Sequence, residues 1–202
     1  MNRLFAVLLT ALAPAIAAAQ EAPDALVKRV SGEVLTIIKN DKDVQSGNLT
    51  KVAQLAEQKV LPNFDFERMT RLAVGKNWRD ASDAQKKSLE DEFRALLVRT
   101  YSSSLAAYRN QTIDVKPLTV PAADKEAVVK TAVLQQGGPA IPINYSMEKT
   151  DTGWKVYDVV IDGASLVTTY RGTFNDQIQK GGIDGLVKSL QERNKSAEPA
   201  KK

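Results

Sequence analysis

The chain has 202 residues, 43% of them hydrophobic and 26% charged, with 28 Lys and Arg against 24 Asp and Glu, a formal net charge of +4. That balance suits one globular domain with a real core and does not describe a disordered chain. Cys and His are both absent. This excludes disulfides, thiol nucleophiles, thiolate or imidazole metal sites and a Ser-His-Asp triad.

The first residues read as a secretory leader. Arg3 supplies the positive end, Leu4 to Ala13 an apolar stretch too short to span a bilayer, and Pro14 a break; Ala17-Ala18-Ala19 offers a small-residue cleavage site. The expectation is a signal peptide over 1–19, with no cysteine at the cleavage point to carry a lipid anchor. Without Arg3 the remaining 27 basic residues give the mature chain a net +3.

Helical periodicity follows from Asp24 to Ile38, with Leu26/Val27, Val30, Val34/Leu35 and Ile37/Ile38 on one stripe. Asp41 to Asn48 is a polar break. Leu49, Val52, Leu55 and Val60 predict a second helix ended by Pro62, and Phe64 to Val74 a third, with Phe66, Met69, Leu72 and Ala73 on one side and Gly75 as its C-terminal cap. Ser82-Asp83-Ala84-Gln85 fits a capping box that opens the longest helix. Its stripe runs through Leu89, Phe93, Leu96/Leu97, Tyr101, Leu105 and Tyr108.

After Gln111 the period becomes two. Thr112–Val120, Glu126–Gln135, Ile141–Thr150 and Trp154–Asp162 read as four strands joined by turns short enough to require an antiparallel meander. Strict alternation puts Ile141, Ile143, Tyr145 and Met147 on one face of the third strand. In the fourth it puts Tyr157, Val159 and Ile161 opposite Trp154, Val156, Asp158 and Val160. Being apolar on both faces, that last strand is expected to be central or covered on both sides. Two closing helices follow, one with Leu166/Val167, Tyr170, Phe174 and Ile178, the next with Ile183, Leu186/Val187 and Leu190. Between them Gly181-Gly182 reads as a turn, as does Gly137-Gly138 further up the chain; neither belongs to a phosphate-binding loop. The expected fold is α+β: a mainly helical part over 20–110, a curved four-stranded antiparallel sheet with closing helices over 111–194, and a flexible tail over 195–202. A sheet wrapped round a long amphipathic helix leaves an apolar space.

Several strings then resemble one family. They are Phe64-Asp65-Phe66 with Met69-Thr70 and Gly75-x-x-Trp78; Tyr101-x-x-x-Leu105-x-x-Tyr108; the run Trp154 to Val167 continuing to Tyr170-Arg171 and Phe174; and Gly181-Gly182-Ile183-Asp184-Gly185-Leu186. In order and over the mature chain they resemble the MlaC, or toluene-tolerance, family; Ala164 stands where relatives often carry Val. The resemblance implies a cone similar to nuclear transport factor 2 folds with a helical subdomain. It also implies a periplasmic phospholipid carrier that uses no cofactor, binds no metal or nucleic acid and is no enzyme. Its implied partners are phospholipid as cargo, an outer-membrane lipoprotein–porin complex, and an inner-membrane complex of a hexameric substrate-binding protein with an ABC transporter, all near membranes.

The side chains expected to face the lipid are Phe66, Met69 and Leu72; Leu97, Tyr101 and Leu105; Ile143, Tyr145, Tyr157, Val159 and Ile161; and Ala164, Leu166, Val167 and Tyr170, with Val167 at the pocket mouth. The competing reading is a cone-type isomerase using Asp158 or Asp162 with Tyr145 or Tyr157. The simpler role for those carboxylates is hydrogen bonding to nearby backbone and forming the turn at Asp162-Gly163.

Overall fold

In a computed structural model of the chain, residues 20–108 and 110–196 are described. The leader over 1–19 and nearly all of the expected tail lie outside them.

The helical part begins with α1 (Pro23–Asn40), whose proline sits in the first turn where no backbone donor is needed. The expected polar break contains one helical turn, α2 (Lys42–Gln45). Asp41 caps it by accepting from the N–H groups of Asp43 and Val44, and Val44 is buried. The second expected helix is α3 (Leu49–Leu55), which widens into a π turn at Ala56–Val60 and tightens at Leu61–Asn63, where Pro62 ends it. The third, α4 (Phe66–Val74), starts two residues later than expected. Phe64 bridges to Val156 and the Asp65 N–H donates to the Val156 carbonyl at 2.8 Å, so those two residues belong to the sheet edge; Asp65 then caps the helix. Gly75 ends α4 with a φ of 66°, a backbone state that favours glycine. After a tight turn over Gly75–Asp80 the capping box of Ser82 and Gln85 opens α5 (Asp83–Ala106), as expected.

The sheet is an antiparallel meander with five strands rather than four, in the order β1 (Thr112–Val115), β2 (Glu126–Leu134), β3 (Ile141–Thr150), β4 (Gly153–Ile161) and β5 (Ala164–Ser165). β1 stops well short of Val120. Pro117 has no N–H for a ladder, and the Leu118 N–H donates to the Asp24 carboxylate at 3.1 Å, drawing the chain toward α1. β5 is a two-residue return. Asp162 and Gly163, at φ 49° and 82°, make the tight turn that folds it back on β4.

Strict alternation fails in β4. Met147 pairs with Val156 but Ser146 pairs with Asp158, so Tyr157 is an extra residue in a bulge. The bulge resets the faces. Val156 now shares the inner face with Val159 and Ile161, opposite Met147, Tyr145 and Ile143 of β3, and Tyr157 leaves that set. The face assignment expected for the fourth strand is corrected accordingly. β4 lies between β3 and β5, as expected of a central strand, and its outer-face residues Asp158 and Val160 are half-buried, while Lys130 and Val128 of β2 are exposed on that face.

α6 (Leu166–Lys195) closes the fold. It is broken at Gly182 (φ 67°), where the turn between two closing helices was expected. The core falls into two clusters. The larger gathers Phe66, Met69, Phe93, Leu96, Met147 and Phe174 between α4, α5, α6 and the sheet. The smaller gathers Val34, Ile38, Val44, Val52 and Leu55 in the helical part, with Tyr108.

Candidate binding cavity

A partly open cavity of about 640 Å³ lies where the two clusters meet. Its walls are the apolar stripe of α1 (Val27, Val30, Val34, Leu35), the π turn and the segment after it (Val60, Leu61, Phe64), and the α5 stripe (Leu97, Tyr101, Leu105). The fourth wall is the sheet's inner face, including Ile113, Val133, Ile141, Ile143, Tyr145, Met147, Val156, Val159 and Ile161. Among the described residues no charged side chain lines it.

The polar lining residues mostly spend their hydrogen bonds on their own chain. Ser31 Oγ donates to the Lys28 carbonyl at 3.2 Å, Ser102 Oγ to Val98 at 2.6 Å, and Asn63 Nδ2 to Lys59 at 2.9 Å. Bound back in this way they present little unsatisfied polarity, so the cavity is an apolar environment sized for a small-molecule or acyl ligand.

Of the fifteen side chains expected to face a ligand, Phe66, Met69, Leu97, Tyr101, Leu105, Ile143, Tyr145, Val159, Ile161 and Leu166 line this cavity. Leu72, Tyr157, Ala164, Val167 and Tyr170 do not. Val167 is only 4% exposed in the main core, and Ala164 is exposed beside the tight turn. Tyr170 packs against Phe93 and Phe174 at ring-centroid distances of 5.0 and 5.7 Å. The α1 stripe and the π turn also line the cavity, though periodicity alone marks them only as core or helix. Their periodicity was visible, but nothing local says that the surface they cover is empty. Met147 shares the inner face of β3 with Ile143 and Tyr145, a signal already present in the alternation.

Three lining tyrosines, Tyr101, Tyr108 and Tyr145, carry the cavity's electrostatics, each raised by burial. Burial raises the Tyr145 hydroxyl above the ordinary phenol range, opposed by its hydrogen bond with Thr131. Tyr145 retains some accessible surface because it borders the cavity, while protein atoms surround it otherwise. Thr131 Oγ1 also donates to the Ile143 carbonyl at 2.8 Å. Tyr101 is likewise raised, by burial first and by the neighbouring Tyr170 second. All three phenols stay neutral at physiological pH.

The carboxylates of the isomerase reading are engaged elsewhere. Asp158 Oδ2 accepts from Ser165 Oγ at 2.6 Å, and its Oδ1 accepts the N–H groups of Val167 at 3.1 Å and Val159 at 2.9 Å, fastening the start of α6 to β4. Asp162 forms the turn. Neither lines the cavity.

Tyr157, displaced by the bulge, faces Arg68, whose guanidinium sits 3.6 Å from its ring centroid. Arg68 also pairs with Glu126 at 2.5 Å and with Glu148. Burial works against the charge on Arg68, and the two carboxylates more than restore it. Burial and a hydrogen bond with Asp65 push the Glu148 carboxyl up, with Arg68 opposing them.

An α+β fold whose inner sheet face and two helices enclose an apolar cavity defines a binding protein for an apolar ligand. The chain belongs to the MlaC protein family, whose profile matches residues 28–192. It is 26% identical over 185 residues to the toluene tolerance protein ttg2D of Pseudomonas putida, covering 91% of this chain and 85% of that one. It is 22% identical over 179 residues to the intermembrane phospholipid transport system binding protein MlaC of Haemophilus influenzae, covering 87% and 84%. Among solved structures it resembles a phospholipid-binding protein from Ralstonia solanacearum in complex with a phospholipid. There the TM-score is 0.79 at 44% identity, over 85% of this chain and 96% of that one.

Proposed function

We propose that this chain is a periplasmic phospholipid carrier, exported by the leader over 1–19 and acting as one lipid-binding unit over 20–194. The observation that carries the reading is the 640 Å³ apolar cavity, with no charged side chain among its described lining residues. Acyl tails lie in it against Leu97, Tyr101, Leu105, Ile143, Tyr145, Val159 and Ile161, and the head group stays in solvent, so no phosphate-binding motif is needed. The carrier receives and delivers lipid at an outer-membrane lipoprotein–porin complex and at an inner-membrane hexameric substrate-binding protein with its ABC transporter. It uses no cofactor and catalyses no reaction.

The physical need for such a carrier is large. A tail of about 15 methylenes at roughly 0.8 kcal/mol each costs on the order of 12 kcal/mol to expose to water. An apolar cavity makes transfer from a bilayer nearly isoenergetic, so direction is set by the partners. Protein purified from the periplasm without detergent, extracted with organic solvent and analysed by mass spectrometry, is expected to yield stoichiometric glycerophospholipid. Protein that carries none overturns the reading.

A further inference from the structure

A second concavity, of about 380 Å³, lies outside the cavity walls. It runs between Val74–Asn77 at the end of α4 and the α6 residues Thr168, Arg171, Gly172 and Asn175. Two observations there have no explanation inside the chain.

The first is Gly172. It holds helical backbone angles within α6, where glycine is the most unfavourable residue after proline. A Cβ built on it meets no atom within 4 Å. Internal packing therefore does not demand a glycine, and the remaining physical use is close approach by something external. Gly32 of α1 and Gly181 of α6 have the same freedom but line neither concavity.

The second is charge. Lys76 and Arg171 line the groove, and among the described residues no acidic one does. Lys76 and Arg171 have no ion pair among the described residues, as is also true of Arg71, Arg79 and Arg193, but these two face one groove together. Arg171 donates through Nε to the Leu72 carbonyl at 2.9 Å, which fixes its stem at the end of α4. Its two terminal nitrogens have no partner among the described residues, so a planar fork suited to a carboxylate is held in place and unused.

We propose that this groove is a docking site for an acidic segment of a protein partner, its backbone passing over Gly172 and its carboxylates meeting Lys76 and Arg171. The concave shape and the glycine favour a protruding polypeptide over a flat bilayer, and the unpaired cations set the sign of its charge. The proposal rests on the carrier reading, since docking to hand over lipid is the use such a surface has.

The test is lipid handover from loaded protein to the two purified partner complexes in nanodiscs, and separately to protein-free vesicles of phosphatidylethanolamine and phosphatidylglycerol. Gly172→Leu and the double variant Lys76→Glu with Arg171→Glu are expected to keep their phospholipid. Transfer to at least one complex should fall tenfold or more, with transfer to vesicles unchanged. Gly172→Ala guards against a folding artefact: it should raise the melting temperature by favouring the helix and still slow handover. Handover unchanged to both complexes overturns the proposal, and so does a loss seen equally with protein-free vesicles, which would make the groove a membrane contact. Wild-type protein that never carries lipid fails the carrier reading instead, so the two failures are distinguishable.

Discussion

A carboxylate placed at Ile143 and, separately, at Val167 separates cavity wall from core. Val167 is 4% exposed in the main cluster, and its N–H is already bound by Asp158. A glutamate there cannot reach water, so it is held neutral. Keeping a carboxyl of ordinary pKa near 4.3 protonated at pH 7 costs about 4 kcal/mol at 1.36 kcal/mol per pH unit. Overpacking adds roughly 1–3 kcal/mol. The sum, about 5–7 kcal/mol, consumes most of a typical total of about 5–15. At about 2–4 °C per kcal/mol for a domain of this size, Val167→Glu is expected to lower the melting temperature by at least about 10 °C.

Ile143 lines the cavity instead, where a glutamate can be hydrated when the cavity is empty, and the expected loss of melting temperature is within about 5 °C. In the loaded protein that carboxylate must shed its water or push the tail aside. Excluding about five methylenes at roughly 0.8 kcal/mol each removes about 4 kcal/mol, or close to 10³-fold in affinity. Differential scanning calorimetry and lipid mass spectrometry on the two variants read both numbers. Ile143→Glu with full phospholipid, or Val167→Glu melting within a few degrees of wild type, refutes the assignment of wall and core.

Asp158→Asn keeps the shape but weakens the charge-assisted bonds that fasten α6. It is expected to cost about 1–3 kcal/mol by thermal melting and to leave bound lipid unchanged; a variant that is stable but has lost its lipid would reassign Asp158 to the cavity. Arg68→Ala removes the cation opposing the raised Glu148 carboxyl. Since Glu148 already sits above its unfolded value, its ionisation is unfavourable to the fold, and stability is lost as pH rises through that carboxyl range. The variant's deficit should therefore be larger at pH 7 than at pH 4, and a deficit independent of pH would show that the contact with Tyr157 dominates. If the net +3 of the mature chain draws it to anionic surfaces, lipid exchange with anionic vesicles should slow between low salt and 0.1 M, where screening acts beyond about 10 Å; a salt-independent rate would leave the charge a role in solubility alone.

Whatever depends on neighbours within one or two turns was legible in the residues alone. The α1 and α5 stripes, the Ser82–Gln85 capping box, Gly75 as a helix end, the antiparallel meander and the break at Gly181-Gly182 all follow from local periodicity and from backbone states that few residues adopt. Ten of the fifteen expected side chains line the cavity, since periodicity alone places each on the inward side of its element.

What tertiary structure decided is set by partners distant in sequence. The bulge at Tyr157 exists because β4 must keep register with β3 on both sides of it, and a strand's own alternation carries no record of its neighbour's register. β1 ends where Asp24, nearly a hundred residues earlier, takes the Leu118 N–H. Val167 belongs to the core rather than to an opening because Asp158 fastens the first turn of α6 against the sheet. An apolar stripe reports only that a surface leaves water. Whether it meets side chains, as at Phe93 and Phe174, or empty space, as at Val34 and Ile143, depends on how far apart the rest of the chain holds the opposite wall.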